Sequence, residues 1–194
     1  MKVFDDVLKA GVFNRVSDTL LDFKMPWYYI STAYHESVEV SKYGYSFQHV
    51  ALIDGTDNSG LGEILHSAVL NALDNVGEKS LGIYRIRVGM FTITPEIVIH
   101  EPHVDFDEPH NTGVLYINDS DGPTTIYSER YDLASGIPSL DYYNTVLNKE
   151  KTILTQIDPK ANRLVLFDGL HYHASSTPTL TARRIAINFN YKAV

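Results

Sequence analysis

"LGIYRIRVGMFTIT", residues 81–94, is where the character of the chain changes. From here on, short runs rich in β-branched and aromatic residues follow one another: "TGVLYIN", "TTIY", "KTILTQI", "NRLVLF" and "RRIAINFNY". Clusters of Pro, Gly, Asn and Asp separate them, as turns separate strands. What precedes residue 81 is more helical. Two helices followed by many short strands predict an α+β protein built on a sandwich or a double-stranded barrel.

Working back from that boundary, "SGLGEILHSAVLNALDNVG" (residues 59–77) lies between turn signals and reads as an amphipathic helix, with His66 inside it. "PWYYISTA" and "HVALIDG" read as strands. Residues 4–23 carry Phe4, Val7, Leu8, Val12, Phe13, Val16, Leu20 and Leu21 at mixed spacings of three and four, which predicts a first helix, stopped by Pro26. Working forward, "SERYDLASGIPSLDYYNTVLNKE" (residues 128–150) has little periodicity and reads as a long insertion, a surface excursion or a lid. The 13 tyrosines and Trp27 are expected mainly in the core, with an aromatic groove in "PWYY", "YGY" and "DYY" as the alternative.

At 194 residues with 44% apolar and 21% charged composition, a single domain spanning 1–194 is expected, with 1–80 as a helical and strand support region and 81–194 as the core. There is no cysteine, which excludes disulfides, thiolate zinc sites and a thiol nucleophile; any metal chemistry must use His, Asp and Glu. The amino terminus lacks an apolar stretch of signal-peptide length, and no run is long enough to span a bilayer, so a soluble, cytoplasmic protein without a membrane partner is expected. The formal net charge is −8, and no basic block exists beyond Arg183 and Arg184. The electrostatic footprint of a nucleic-acid-binding protein is therefore missing.

Chemistry concentrates in "IHEPHVDFDEPH", residues 99–110. In an extended segment His103 and Asp105 share a face, with Val104 and Phe106 behind them. The dipeptide gains meaning from "NRLVLFDGLHYHASSTP", where a buried strand turns and presents His171 and His173. Two histidines and one carboxylate make the facial triad that holds non-haem iron, and on spacing alone either His171 or His173 can be the third ligand. Eleven residues after His173, Arg184 opens a strand that otherwise looks buried; such a cation needs an anion, from the chain or from a ligand. Its neighbour Arg183 is expected to face solvent. Pro102 interrupts alternation between His100 and His103, so His100 and His110 are expected as surroundings, as are Asp107 and Glu108. His35, His49 and His66 receive no role.

These motifs, in this order, resemble the iron(II)- and 2-oxoglutarate-dependent dioxygenases, and among them the prolyl 4-hydroxylase-like group. The matching residues are "HVD" at 103–105, "VLYIN" and "DSDG" within 114–122, "NRLVLFDG" at 162–169, "HASSTP" at 173–178 and "RRIAINF" at 183–189. The resemblance implies a double-stranded β-helix (jelly-roll, cupin-like) core with supporting N-terminal helices. It implies that His103, Asp105 and His173 bind Fe(II), His173 being chosen over His171 because a short segment ending in Pro178 follows it. It implies that Arg184 pairs with the distal carboxylate of 2-oxoglutarate, with Tyr116 and Asn188 as further cofactor-pocket residues. The one departure is "DGPTTIY", where Pro123 replaces a second glycine and puts the local turn in question.

The activity so implied is hydroxylation of an unactivated C–H in a prolyl or similar residue of a peptide, or in a small molecule. Dioxygen is consumed and 2-oxoglutarate is decarboxylated to succinate; ascorbate is a further candidate cofactor. The competing expectation is a non-catalytic jelly-roll module with a structural metal. Nucleic-acid demethylation by the same iron chemistry conflicts with the acidic charge balance.

Overall fold

The computed structural model describes residues 1–31, 43–135 and 151–194. Eleven strands and two α-helices make it up: β1 (Lys2–Phe4), α1 (Ala10–Leu21), β2 (Tyr28–Ile30), β3 (Ser46–Ile53), β4 (Thr56–Asp57), α2 (Gly62–Asn75), β5 (Ser80–Thr92), β6 (Asn111–Tyr116), β7 (Thr124–Arg130), β8 (Ile153–Ile157), β9 (Leu164–Asp168), β10 (His171–Ser175) and β11 (Arg183–Ala193). They form two antiparallel sheets. The larger runs β1-β9-β6-β11-β5-β3-β2, with β4 added on β3; the smaller runs β10-β7-β8.

Alternation along the long central strands gives the large sheet two unlike faces. On β11, Ile185, Ile187, Phe189 and Tyr191 point to one side and join Ile86 and Val88 of β5 against Val16 and Leu20 of α1 and Leu65, Val69 and Leu73 of α2. That helix-covered core anchors the sheet. On the other side, Val114 and Tyr116 of β6, Val165 and Phe167 of β9 and Ala186 pack on Ile126 of β7 and Ile157 of β8, which closes the space between the sheets. Each fully buried aliphatic side chain contributes about 1.5–3 kcal/mol relative to exposure. Gly113 sits opposite Phe189 in the β6–β11 register, and a Cβ there would lie 2.1 Å from the ring.

Several expectations are corrected. Residues 4–23 do not form one helix: Lys2–Phe4 pair with Leu164–Leu166, and α1 begins only at Ala10. Asp6 takes a positive φ of 54°, which no helix tolerates, and Asn162 accepts from Leu8 N through its side-chain oxygen while donating to Leu8 O. Residues 128–150 do not begin as a loop, since Ser128–Arg130 complete β7 and Leu133–Ser135 form a 3₁₀ turn; residues 136–150, "DYY" included, lie outside the described residues, as does His35. Nor do all the aromatics enter the core. Tyr116, Tyr172 and Tyr191 do, whereas Tyr28 and Tyr29 on the edge strand β2 are 63% and 59% exposed. The turn at Pro123 is intact, and β7 starts at the next residue.

No helix among the described residues is long and apolar enough to cross a membrane.

Candidate metal centre and adjoining anion pocket

Residues 98–103 run beside β10 without forming a full strand. Thr177 N donates to Val98 O, His100 N donates to Ser175 O, and His103 and His173 exchange both backbone hydrogen bonds at 2.9 Å. Directly opposed residues of an antiparallel pair project to the same face. The two imidazoles accordingly stand side by side, ring centroids 4.6 Å apart, and Phe167 from the large sheet meets the His173 ring edge-on at 5.1 Å. A bend follows His103 and carries Asp105 to the same point. One donor atom from each of His103, Asp105 and His173 lies within 4.8 Å of the other two.

Hydrogen bonds orient every member. Nδ1 of His103 meets Glu101 O at 3.0 Å and Nδ1 of His173 meets His171 O at 3.1 Å. A carbonyl oxygen only accepts, so both Nδ1 atoms carry the proton and both Nε2 atoms keep a lone pair for a cation. Nε2 of His173 is buried, makes no hydrogen bond, and stands 3.6 Å from Asp105 Oδ2. Burial, with the neighbouring His173, pulls the His103 pKa down to about 3. Burial opposes ionisation of Asp105, yet Arg85, His173 and Arg87 outweigh it and hold the carboxyl well below the usual carboxylate range. The Asp105 side chain is fully buried; its Oδ1 accepts from Arg85 Nη2 and its Oδ2 accepts from Asn190 Nδ2 at 2.8 Å. Two neutral imidazoles and one carboxylate, converging with a buried orphan nitrogen, are the donor set of a divalent transition metal.

The triad opens on a cavity lined by Phe91, Thr124, Arg184, Ala186 and Asn188, among others. Arg184 is 2% exposed. Its Nε donates to Gly122 O at 2.9 Å and its Nη2 donates to Thr124 Oγ1 at 2.7 Å, while the guanidinium lies over the rings of Phe91 and Tyr116. Among the described residues no carboxylate pairs with it. Burial lowers its pKa, although an arginine remains charged at neutral pH. A buried cation without an anion is costly, and the chain leaves the place beside it to an anionic ligand.

Four sequence-derived site residues, His103, Asp105, His173 and Arg184, are thus brought together around one cavity, and Asn188 lines it with a buried Oδ1 that has no partner. Tyr116 stands behind this lining: its hydroxyl donates to Thr124 Oγ1 at 2.6 Å, and Thr124 is the residue that faces the cavity. His171 lies away from the triad. Its Nδ1 binds Tyr127 O at 2.8 Å, and a register shift between His171 and His173 separates the two despite their spacing. His100 is buried, with its ring 4.5 Å from Phe91, and His110 is buried beside Phe106. Arg183 is exposed, as expected.

Sequence reasoning missed Arg85, Arg87 and Asn190. Their signal is "YRIRV", in which two cations alternate with Ile86 and Val88 of the helix-covered core. A period-two cation pair on a strand whose other face is buried points into the space between the sheets.

No family model matches the chain, and no curated protein matches it. Solved structures do. A prolyl hydroxylase from Trichoplax adhaerens, in complex with a peptide fragment of the hypoxia inducible factor oxygen degradation domain, superposes with a TM-score of 0.61 at 16% identity, covering 98% of this chain and 82% of that one. An oxidoreductase of the 2OG-Fe(II) oxygenase family from Burkholderia pseudomallei gives 0.62 at 11% identity over 97% and 82%. HygX from Streptomyces hygroscopicus, with nickel and 2-oxoglutarate bound, gives 0.57 at 13% identity over 98% and 81%. The chain has the fold of these 2-oxoglutarate- and iron-dependent oxygenases.

Proposed function

We propose that the chain is an iron(II)- and 2-oxoglutarate-dependent oxygenase on a double-stranded β-helix, hydroxylating an unactivated C–H of a prolyl or similar residue in a peptide, or of a small molecule. One observation carries the reading: a His-Asp-His cluster and a buried arginine without an anion face the same cavity. Metal ligands alone fit a structural ion. An arginine held ready for a second carboxylate fits a site that takes a cosubstrate.

In this reading His103, Asp105 and His173 hold the metal, and the carbonyls of Glu101 and His171 fix their imidazoles through Nδ1. Arg184 receives the distal carboxylate of 2-oxoglutarate. Gly122 O and Thr124 keep the guanidinium in place, and Tyr116 steadies Thr124 from behind. Phe91, Val114 and Ala186 supply apolar walls that exclude water from the reacting centre. When bound, iron and 2-oxoglutarate supply the oxidising chemistry, with succinate and carbon dioxide as coproducts. The peptide bound to the Trichoplax prolyl hydroxylase and the nickel and 2-oxoglutarate bound to HygX support this assignment of substrate and cosubstrate classes.

The test is prolonged incubation of the purified protein with Fe(II), ascorbate, oxygen and 2-oxoglutarate, following succinate. Slow succinate formation that vanishes in a folded His173→Ala variant is expected. Equal succinate in both proteins refutes the assignment of His173.

A further inference from the structure

A second arginine in the cavity is unanswered, and the metal and cosubstrate do not account for it. Arg87 lies on the inner face of β5, between Val50 of β3 and Asn188 of β11 in the cross-strand register. Its side chain is 18% exposed and lines the cavity with Gln48, His103 and Asn188. It makes no hydrogen bond among the described residues. Its one ion-pair contact is 4.0 Å from Asp105 Oδ1, and that oxygen is already taken by Arg85.

The rows of the sheet place this cation apart from Arg184. Arg87 pairs with Asn188, Gly89 with Ala186 and Phe91 with Arg184. Four positions along a strand therefore separate the two arginine rows, roughly 13 Å along the backbone. Between them lies a floor of Gly89 and Ala186, with nothing within 4 Å of where a Gly89 Cβ would stand. Beside Arg87, Asn188 Oδ1 is buried without a partner. Gln48 stands at the rim and also lines the neighbouring groove that includes Tyr28, Ile30 and Val50.

We propose that Arg87, with Gln48 and Asn188 beside it, is the subsite for an anionic group of the primary substrate, a carboxylate by its chemistry. The inference rests on the oxygenase reading. Once Arg85 is neutralised by Asp105 and Arg184 by 2-oxoglutarate, Arg87 retains an unmatched charge in a partly desolvated cavity. A neutral substrate seated there would leave that charge buried and unpaired, whereas a carboxylate accepts its hydrogen bonds. The substrate is therefore an acid, or a peptide presenting a carboxylate near the C–H that reacts. The same chemistry has a second source, the 1-carboxylate of 2-oxoglutarate, and the experiment separates the two.

Zn(II)-loaded protein carrying ¹⁵N-labelled arginine is titrated with acetate and, separately, with neutral acetamide, with and without 2-oxoglutarate. The Nε resonances of Arg87 and Arg184 are followed. In the presence of 2-oxoglutarate, acetate is expected to shift Arg87 saturably while acetamide does not, and Arg87→Gln is expected to weaken acetate at least about tenfold with 2-oxoglutarate affinity retained. Three results overturn the proposal: no acetate response at Arg87, equal responses to acetate and acetamide, or acetate and 2-oxoglutarate competing at Arg87. Failure of 2-oxoglutarate to shift Arg184 is a separate result and refutes the oxygenase reading instead; acetate at Arg87 still reports on the anion site.

Discussion

Replacing Arg184 with methionine separates what this residue does for a ligand from what it does for the fold. The guanidinium is almost wholly buried, is held by two donated hydrogen bonds, and faces no carboxylate of the described chain. Removing one partner of a buried ion pair costs about 3–5 kcal/mol, so 2-oxoglutarate affinity should fall roughly 10²- to 10³-fold. Stability of the ligand-free protein should behave differently. The variant loses two hydrogen bonds of about 1–1.5 kcal/mol each, but it also removes a buried, uncompensated charge whose desolvation costs several kcal/mol. The two effects oppose each other and should leave ligand-free stability within about 2 kcal/mol of wild type, on the stable side. Calorimetric titration of Ni(II)-loaded protein with 2-oxoglutarate measures the first quantity and scanning calorimetry without ligand measures the second. An affinity loss under tenfold, or a marked fall in Tm at unchanged affinity, would refute this reasoning and make Arg184 a structural residue.

Three further outcomes follow from the same structure. Burial, and then Arg184, lowers the His100 pKa to about 4, below the ordinary 6.5, so between these pH values the unfolded chain binds a proton that the folded one refuses; stability should drop by about 1.4 kcal/mol per pH unit on acidification, and denaturant titrations of metal-free His100→Leu should show a shallower drop. Gly113→Ala forces a methyl into the Phe189 ring and should cost at least about 1–3 kcal/mol in denaturant unfolding, partly recovered by Phe189→Leu in the same chain. Asp121 accepts hydrogen bonds from the amides of Thr179, Leu180 and Thr181 and from both threonine hydroxyls, so Asp121→Ala should speed hydrogen exchange at those three amides while leaving that of β5 unchanged.

How far these features were legible in the sequence depends on whether they are local. Strands β5, β6, β9 and β11 showed as apolar runs because their residues alternate between two buried environments. His103 and Asp105 were legible as a pair because two-residue spacing places them together. The choice between His171 and His173 was not local: it turns on a register shift against β7 and on a backbone bridge to residue 103, seventy positions earlier. The short strand Lys2–Phe4 was hidden for the same reason, since its apolar residues fit a helical stripe until β9 pairs with them. Arg85 and Arg87 looked like ordinary surface cations of a strand; only the second sheet, folded over them from residues 124 to 175, makes theirs an inner face.

The central claim, that His103, Asp105, His173 and Arg184 assemble one iron and 2-oxoglutarate site, is tested most directly by anaerobic titration of the protein with Fe(II) and then 2-oxoglutarate, watching for the weak visible charge-transfer band of the chelate. The account predicts a saturable band in wild type, none in a folded Asp105→Ala variant, and a band in Arg184→Met that requires far more 2-oxoglutarate. A folded wild-type protein that binds Fe(II) but gives no band at saturating 2-oxoglutarate would contradict it and favour a non-catalytic metal-binding module.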